Sequence, residues 1–219
     1  MIGLEFKEFI AVTASVSTIL QFLAGILVCR KYIRNGTTGE ASGLAFVTCF
    51  TSCSLALRYG MLIGDQTIIV VNIFGISLQL LYVLVFMSYS MKKSLTLKQL
   101  SAAVIFVISV YLYSQYEIDE VQARRIVGFL SSGLAIAFFA SPLSMLAHVM
   151  RVKSAETLPF PIILSSLIVS FQWLLYGYLL NDGFIVIPNF LGCVLSLFQL
   201  SLFILYPGRY PDQIHLTQL

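Results

Sequence analysis

Charge vanishes from this sequence in seven long blocks, residues 9–29, 43–64, 66–91, 99–116, 126–150, 158–181 and 183–208, with Arg58 the one charged residue inside any of them. A bilayer core about 30 Å thick is crossed by roughly 20 helical residues. In lipid every backbone N–H and C=O must find its partner within its own segment, so each block is expected to form a transmembrane helix. The chain then reads as an all-α polytopic membrane protein of seven spans. Its short connections leave no room for a separate soluble domain. Composition agrees: 58% of residues are hydrophobic and 11% charged, against about 25% charged in soluble domains. The first block is too long for a signal-peptide core and reads as a permanent span.

The charges sort by side. Arg30, Lys31, Arg34, Lys92, Lys93, Lys98, Arg151, Lys153 and Arg209, nine of the 13 basic residues, fall in the connections after blocks one, three and five and in the tail. The opposite side holds Glu5, Glu8, Asp65, Glu117, Asp119, Glu120 and Asp182, seven of the 10 acids. The positive-inside rule puts the N-terminus outside and the C-terminus in the cytosol, where the sequon Asn35-Gly36-Thr37 would stay unglycosylated. No basic stripe points to nucleic acid. Cys29, Cys49, Cys53 and Cys193 all lie within apolar blocks. Cys49 and Cys53 share a helix face but have no further ligand nearby, so they read as packing residues and no metal is expected.

A register shift of 117 residues exposes an internal repeat. It lays Tyr59, Gly60, Leu62, Asp65, Ile68, Asn72 and Gly75 on Tyr176, Gly177, Leu179, Asp182, Ile185, Asn189 and Gly192, seven identities in 17 ungapped positions. Gly25 falls on Pro142 and Thr37 on Ser154. Apolar matches are cheap in such a composition; matched Tyr, Asp, Asn and Gly are not. The expected units are a three-helix repeat over 1–91, a linker helix over 92–123, a second three-helix repeat over 124–206, and a short tail over 207–219. The single linker crossing gives both repeats the same orientation. Parallel repeats about an axis along the membrane normal place a substrate site at the midplane between them.

The residues that carry the repeat also carry a resemblance. Trp173-Leu-Leu-Tyr176-Gly177, then Asp182, then Pro188-Asn189-Phe-Leu-Gly192, resemble the sixth and seventh helices of the SWEET (MtN3/saliva) sugar transporters. Ser141-Pro142-Leu143, Lys153-Ser154 and Leu158-Pro159-Phe160 are similar to the fifth helix and the start of the sixth. Thr37-Thr38-Gly39-Glu40, Ser42-Gly43-Leu44 and Val70-Val71-Asn72 fit the first half. The resemblance covers nearly the whole chain and implies a facilitative, bidirectional uniporter for a hexose or disaccharide, a homo-oligomer in the plasma membrane or in Golgi or vesicle membranes.

A sugar is uncharged, ringed with hydroxyls and apolar on its C–H faces, so its site wants amides that donate and accept, plus an aromatic platform. Asn72 and Asn189, equivalent and mid-span, meet the first need. The alternative is that each bonds a neighbouring helix. Trp173 sits too deep for an interfacial belt, and the resemblance makes it the ring that stacks on sugar. Its repeat partner, Ala56, leaves that wall open. The same alignment turns Thr18, Gln21, Ala135 and Phe138 toward the pocket; Gln21 has the alternative of bonding another helix. The resemblance further implies an extracellular gate of Tyr59 with Asp182, with Tyr176 and Asp65 as the reciprocal pair, although Asp in such turns also simply caps a helix. Arg58 is expected to pair with Asp182 or Asp65 at that gate or to snorkel outward. Of the family's four hinge prolines, Pro142 and Pro159 match, while Gly25 and Ala45 stand at the other two positions. Pro159, which begins its block, also has the lesser role of shaping a helix start.

Absences narrow the mechanism. No Asp, Glu, Lys or His lies near the middle of a block, so proton or ion coupling lacks its usual groups, and no cofactor is called for. A PQ-loop amino-acid exporter shares the repeat but should show such an acid. A seven-helix receptor should show no repeat. An intramembrane enzyme needs a Ser/His or paired-Asp constellation that the blocks lack.

Overall fold

A computed structural model describes residues 2–155 and 158–206, with the side chains of residues 2–4, 140–142 and 144 outside the described set, as is the expected tail. The described chain forms helices α1 (Ile2–Leu23), α2 (Gly25–Asn35), α3 (Leu44–Ile63), α4 (Gln66–Tyr89), α5 (Lys93–Tyr116), α6 (Glu120–Ala137), α7 (Ala140–Val152), α8 (Phe160–Leu180) and α9 (Gly183–Leu205). Six stretches are long and apolar enough to cross a bilayer, the first of them α1 with α2. The remaining crossing is divided between α6 and α7. The result is seven spans in a three-plus-one-plus-three order. Along α1, Val12, Val16 and Leu20 are exposed at one-turn spacing, an apolar stripe that suits lipid and not water.

Helix ends overrun the charge-free blocks. The first helix begins among Glu5, Lys7 and Glu8, and α2 carries Arg30, Lys31 and Arg34. Absence of charge marks only the part of a helix immersed in hydrocarbon. Beyond it, charged side chains on the same helix reach water.

The repeat reappears in the local structure. After α3, Gly64 turns left-handed (φ 73°) and Asp65 caps α4; after α8, Asn181 does so (φ 56°) and Asp182 caps α9. Glycine and asparagine are the residues that adopt this conformation at least cost. Gly60 lies against Ile68, and Gly177 against Ile185, where an added Cβ would sit 2.9 and 2.8 Å from the isoleucine methyl group. Within the first bundle α4 packs on α1, α2 and α3; within the second α9 packs on α6 and α8. The bundles meet through α1 against α8 and α3 against α6, while α5 lies mainly on α3. Ile10, Leu55, Val127 and Ile185 belong to one buried cluster that spans both bundles and includes Val110 of α5.

The first and fifth spans both break. Ala24 separates α1 from α2, and Phe138 and Phe139 separate α6 from α7. Pro142 lies in the first turn of α7, with its side chain outside the described set. No proline marks the first break. There Tyr82 of α4 donates its hydroxyl to Phe22 O at 3.0 Å, taking a carbonyl that a continuous helix would use itself; side chains inserted in this way kink helices. Gly25 makes room, since a Cβ there would collide with the edge of the Tyr82 ring. Ala45 sits in the first turn of α3, and Pro159 is the N-cap of α8, with Pro161 in its first turn.

Gly25→Val should collide with the Tyr82 ring. Overpacking of a filled site costs about 1–3 kcal/mol, so the thermal midpoint of purified protein in detergent should fall, and Tyr82→Ala combined with Gly25→Val should recover part of the loss.

Candidate functional site

Between the bundles lies a cavity of about 390 Å³. Thr18, Gln21, Ala56, Asn72, Ala135, Phe138, Trp173 and Asn189 all line it, so the structure brings together around one space every residue expected to face the substrate. Among the described residues its walls carry no carboxylate, ammonium, guanidinium or imidazole group.

The two asparagines take matching poses. Asn72 Nδ2 donates to Ile68 O and Asn189 Nδ2 to Ile185 O, each at 2.8 Å. One amide hydrogen of each is thus held by its own helix, which fixes the side chain while the remaining hydrogen and the oxygen are not used in that bond. Trp173 Nε1 donates to Thr18 Oγ1 at 2.8 Å, and Thr18 in turn donates to Ala14 O at 2.7 Å. The indole is further set edge-on to Tyr176 at 5.6 Å. Its polar edge is satisfied within the protein, and a ring so fixed is a rigid surface for an apolar ligand face. Gln21 does both of the things expected of it: it lines the cavity and donates from Nε2 to Ser166 Oγ at 3.2 Å across α1 and α8.

Reading by residue type missed several wall residues. Ser52, Ser131, Ser132 and Ser170 line the cavity, as do Cys49 and Cys53. Each serine lies three or four positions before a residue that was identified (Ala56, Ala135 or Trp173), so one helical turn of extrapolation would have found them.

Above the cavity two tyrosines cross between the bundles. Tyr59 donates to Asp182 Oδ2 at 2.6 Å, and Tyr176 to Asp65 Oδ2 at 2.7 Å with Thr67 Oγ1 3.1 Å away. The other oxygen of each carboxylate caps its helix: Asp182 Oδ1 accepts from Phe184 N at 2.9 Å and Asp65 Oδ1 from Ile68 N at 3.0 Å. Capping and cross-bundle bonding are therefore simultaneous rather than alternative. Two cations join this end. Lys7 Nζ stands 5.8 Å from the centre of the Tyr176 ring, and the charge of Arg124 acts on Tyr59. Positions 7 and 124 are themselves 117 apart, so the repeat places one cation in each bundle at this end.

Arg58 is corrected. Its Nε donates to Ser114 Oγ at 2.6 Å, its Nη2 lies 3.5 Å from Gln115 Oε1, and its guanidinium is 5.4 Å from the centre of the Tyr111 ring. The side chain thus binds the linker helix α5 and neither aspartate. Asp65 and Asp182 already use their oxygens for caps and tyrosines, while α5 offers an acceptor pair and an aromatic face. Among the described residues the ion pair present is Lys92 with Glu40 at 3.0 Å, in the exposed connections.

Comparison with known proteins follows this geometry closely. The family model described as "Sugar efflux transporter for intercellular exchange" matches residues 8–94 and again 125–210. Sugar transporter SWEET1 of Drosophila pseudoobscura pseudoobscura is 44% identical over 204 residues, 92% of this chain and 90% of its own. SWEET1 of Mus musculus is 31% identical over 96% of both chains, and the bidirectional sugar transporter SWEET2 of Arabidopsis thaliana is 31% identical over 91% of this chain and 87% of its own. A solved eukaryotic SWEET transporter superposes with a TM-score of 0.83 at 28% identity, covering 92% of this chain and 98% of that one. Repeat, fold and sequence converge, and the chain belongs to the MtN3/saliva family, the SWEET transporters.

Proposed function

We propose that this chain carries a neutral sugar across a membrane in either direction, without ion coupling, by alternating access between its two bundles. The observation that carries the reading is the cavity itself: about 390 Å³ at the bundle interface, free of charged groups, with a matched pair of amides and one indole in its wall. Amides and hydroxyls exchange hydrogen bonds with a polyol at little net cost, whereas a charged wall would favour charged cargo. With no carboxylate, ammonium or imidazole group among the described wall residues, the cavity lacks the usual partners for coupling a proton to transport. The chain works as a carrier rather than an enzyme.

Within this reading Asn72, Asn189, Trp173, Thr18, Gln21, Ala56, Ala135 and Phe138 form the sugar site. Tyr59–Asp182 and Tyr176–Asp65 close the extracellular end, with Lys7 beside the Tyr176 ring and the charge of Arg124 acting on Tyr59. Gly25, Ala45, Pro142 and Pro159 serve as hinges on the other side. The moving units are residues 1–91 and 124–206, joined through the linker over 92–123. The charge asymmetry supports an extracellular N-terminus and a cytosolic C-terminus, in the plasma membrane or in Golgi or vesicle membranes, and family membership supports a homo-oligomer.

Purified protein in liposomes should take up labelled hexose at a rate indifferent to membrane potential and to a pH gradient; uptake that requires a proton gradient would sink the uniport reading. Each lost amide bond is worth about 0.5–1.5 kcal/mol, so Asn72→Ala or Asn189→Ala should lower transport efficiency roughly two- to tenfold.

The closing bonds make a separate prediction. A hydrogen bond to a charged acceptor contributes about 1.5–3 kcal/mol, so Tyr59→Phe with Tyr176→Phe should shift the population toward opening at the aspartate end by about a hundredfold or more. With Cys29, Cys53 and Cys193 replaced, Cys49 in the cavity wall is the reporter: a membrane-impermeant maleimide applied from the aspartate side should label it faster in the double variant. Unchanged labelling would remove the tyrosines from the gate.

A further inference from the structure

The second bundle, with Gln21 of the first, encloses a chamber at a place whose repeat counterpart in the first bundle is occupied by Tyr82. The 117-residue register lays Phe22 on Phe139, Cys49 on Ser166, Cys53 on Ser170, Gln79 on Ser196 and Tyr82 on Gln199. In the first bundle the Tyr82 ring, 2% exposed, occupies the space beside the break in the first span and bonds Phe22 O. In the second bundle the shorter Gln199 stands at that position and leaves a chamber of about 160 Å³. A single water needs only ~10–15 Å³ of such space, so the chamber has room for a far larger guest.

Its walls have a definite chemistry. Gln21 and Gln199 contribute amides, Ser166, Ser170 and Ser196 hydroxyls, and Phe139 a ring; none of the described wall residues is charged. That is the same combination of two-way hydrogen-bonding groups and an aromatic face found in the central cavity. The two spaces adjoin, since Gln21, Phe139 and Ser170 line both, and the Gln21–Ser166 bond stands at their boundary. Along α9, Ser196 and Gln199 follow Asn189 by two and three turns, on the side away from Asp182. The chamber therefore continues the central cavity along the direction of transport.

We infer that this chamber is a second sugar-ring subsite, so that the chain accepts a disaccharide with one ring between Asn72 and Asn189 and the other between Phe139, Ser196 and Gln199. The assignment rests on the sugar-carrier reading above. Asymmetry between the bundles is what permits it: a disaccharide is a two-ring ligand with distinct ends, and a perfectly duplicated cavity would offer its second ring no place of its own.

The repeat supplies the test. Gln199→Tyr installs in the second bundle the residue that fills the first. Full-length protein in liposomes, with labelled glucose and labelled sucrose or maltose as probes, should take up both sugars. Gln199→Tyr should lose disaccharide uptake by about tenfold or more through steric exclusion, while glucose uptake stays within about twofold. Ser196→Leu, which narrows the same chamber from α9, should give the same discrimination and decides the matter where Gln199→Tyr fails to fold. Wild-type protein that carries glucose but neither disaccharide overturns the inference and leaves the carrier reading intact; so does an equal loss of both sugars in well-folded Ser196→Leu. Wild-type protein that carries no sugar overturns both.

Discussion

Hydrocarbon offers no hydrogen bonds, and this one fact arranges nearly every polar atom described above. A buried donor or acceptor without a partner costs more than most contacts return. Asn72, Asn189, Trp173 and four serines of the spans accordingly gather around the cavity between the bundles, and several polar side chains there are tied to their own helices: Asn72 to Ile68, Asn189 to Ile185, Thr18 to Ala14. Such local bonds do two things at once. They make the groups tolerable in a dry setting, and they orient what remains of each group toward a shared space. A cavity built this way is polar without being charged. It can welcome a hydroxylated solute and still offer little to an ion.

The same constraint explains why so much was legible from residues alone. The blocks without charge located the spans, and the 117-residue register picked out Asn72, Asn189, Tyr59, Asp65, Tyr176 and Asp182 because polar side chains in lipid-buried segments are too costly to recur by chance. What escaped was of another kind. Helix limits at residues 2 and 35 lie outside the hydrocarbon, where charge no longer reports helix. The break at Ala24 falls beside Gly25, a hinge position that the resemblance alone offered, and its Tyr82 contact, 58 residues further on, has no signal in the local sequence. Arg58 was placed by proximity in sequence to Asp65, whereas its partners belong to α5, an element with no counterpart in the repeat and hence invisible to it.

Duplication gives each bundle the same scaffold and lets the fillings diverge. Gly64 and Asn181 make the same turn with different residues, so that position tolerates exchange within narrow backbone limits. Tyr82 and Gln199 are not equivalent in this sense: one closes a space and bonds a carbonyl, the other leaves the space open. The pair shows how a two-copy carrier acquires a polarity of its own, keeping its symmetric frame at the aspartate end while its opposite half becomes specialised.

The interrupted first span bears on how force is transmitted. Its upper piece, α1, touches α8 of the other bundle as well as α4, whereas α2 leans on α4 of its own bundle. A continuous rod would transmit any tilt along its full length and drag both ends together. On the proposed hinge reading, a span jointed at Ala24 and seated against an aromatic ring would act as two levers on one fulcrum. Separation at one face of the membrane would then leave the contacts at the other unstrained, with the ring standing at the pivot.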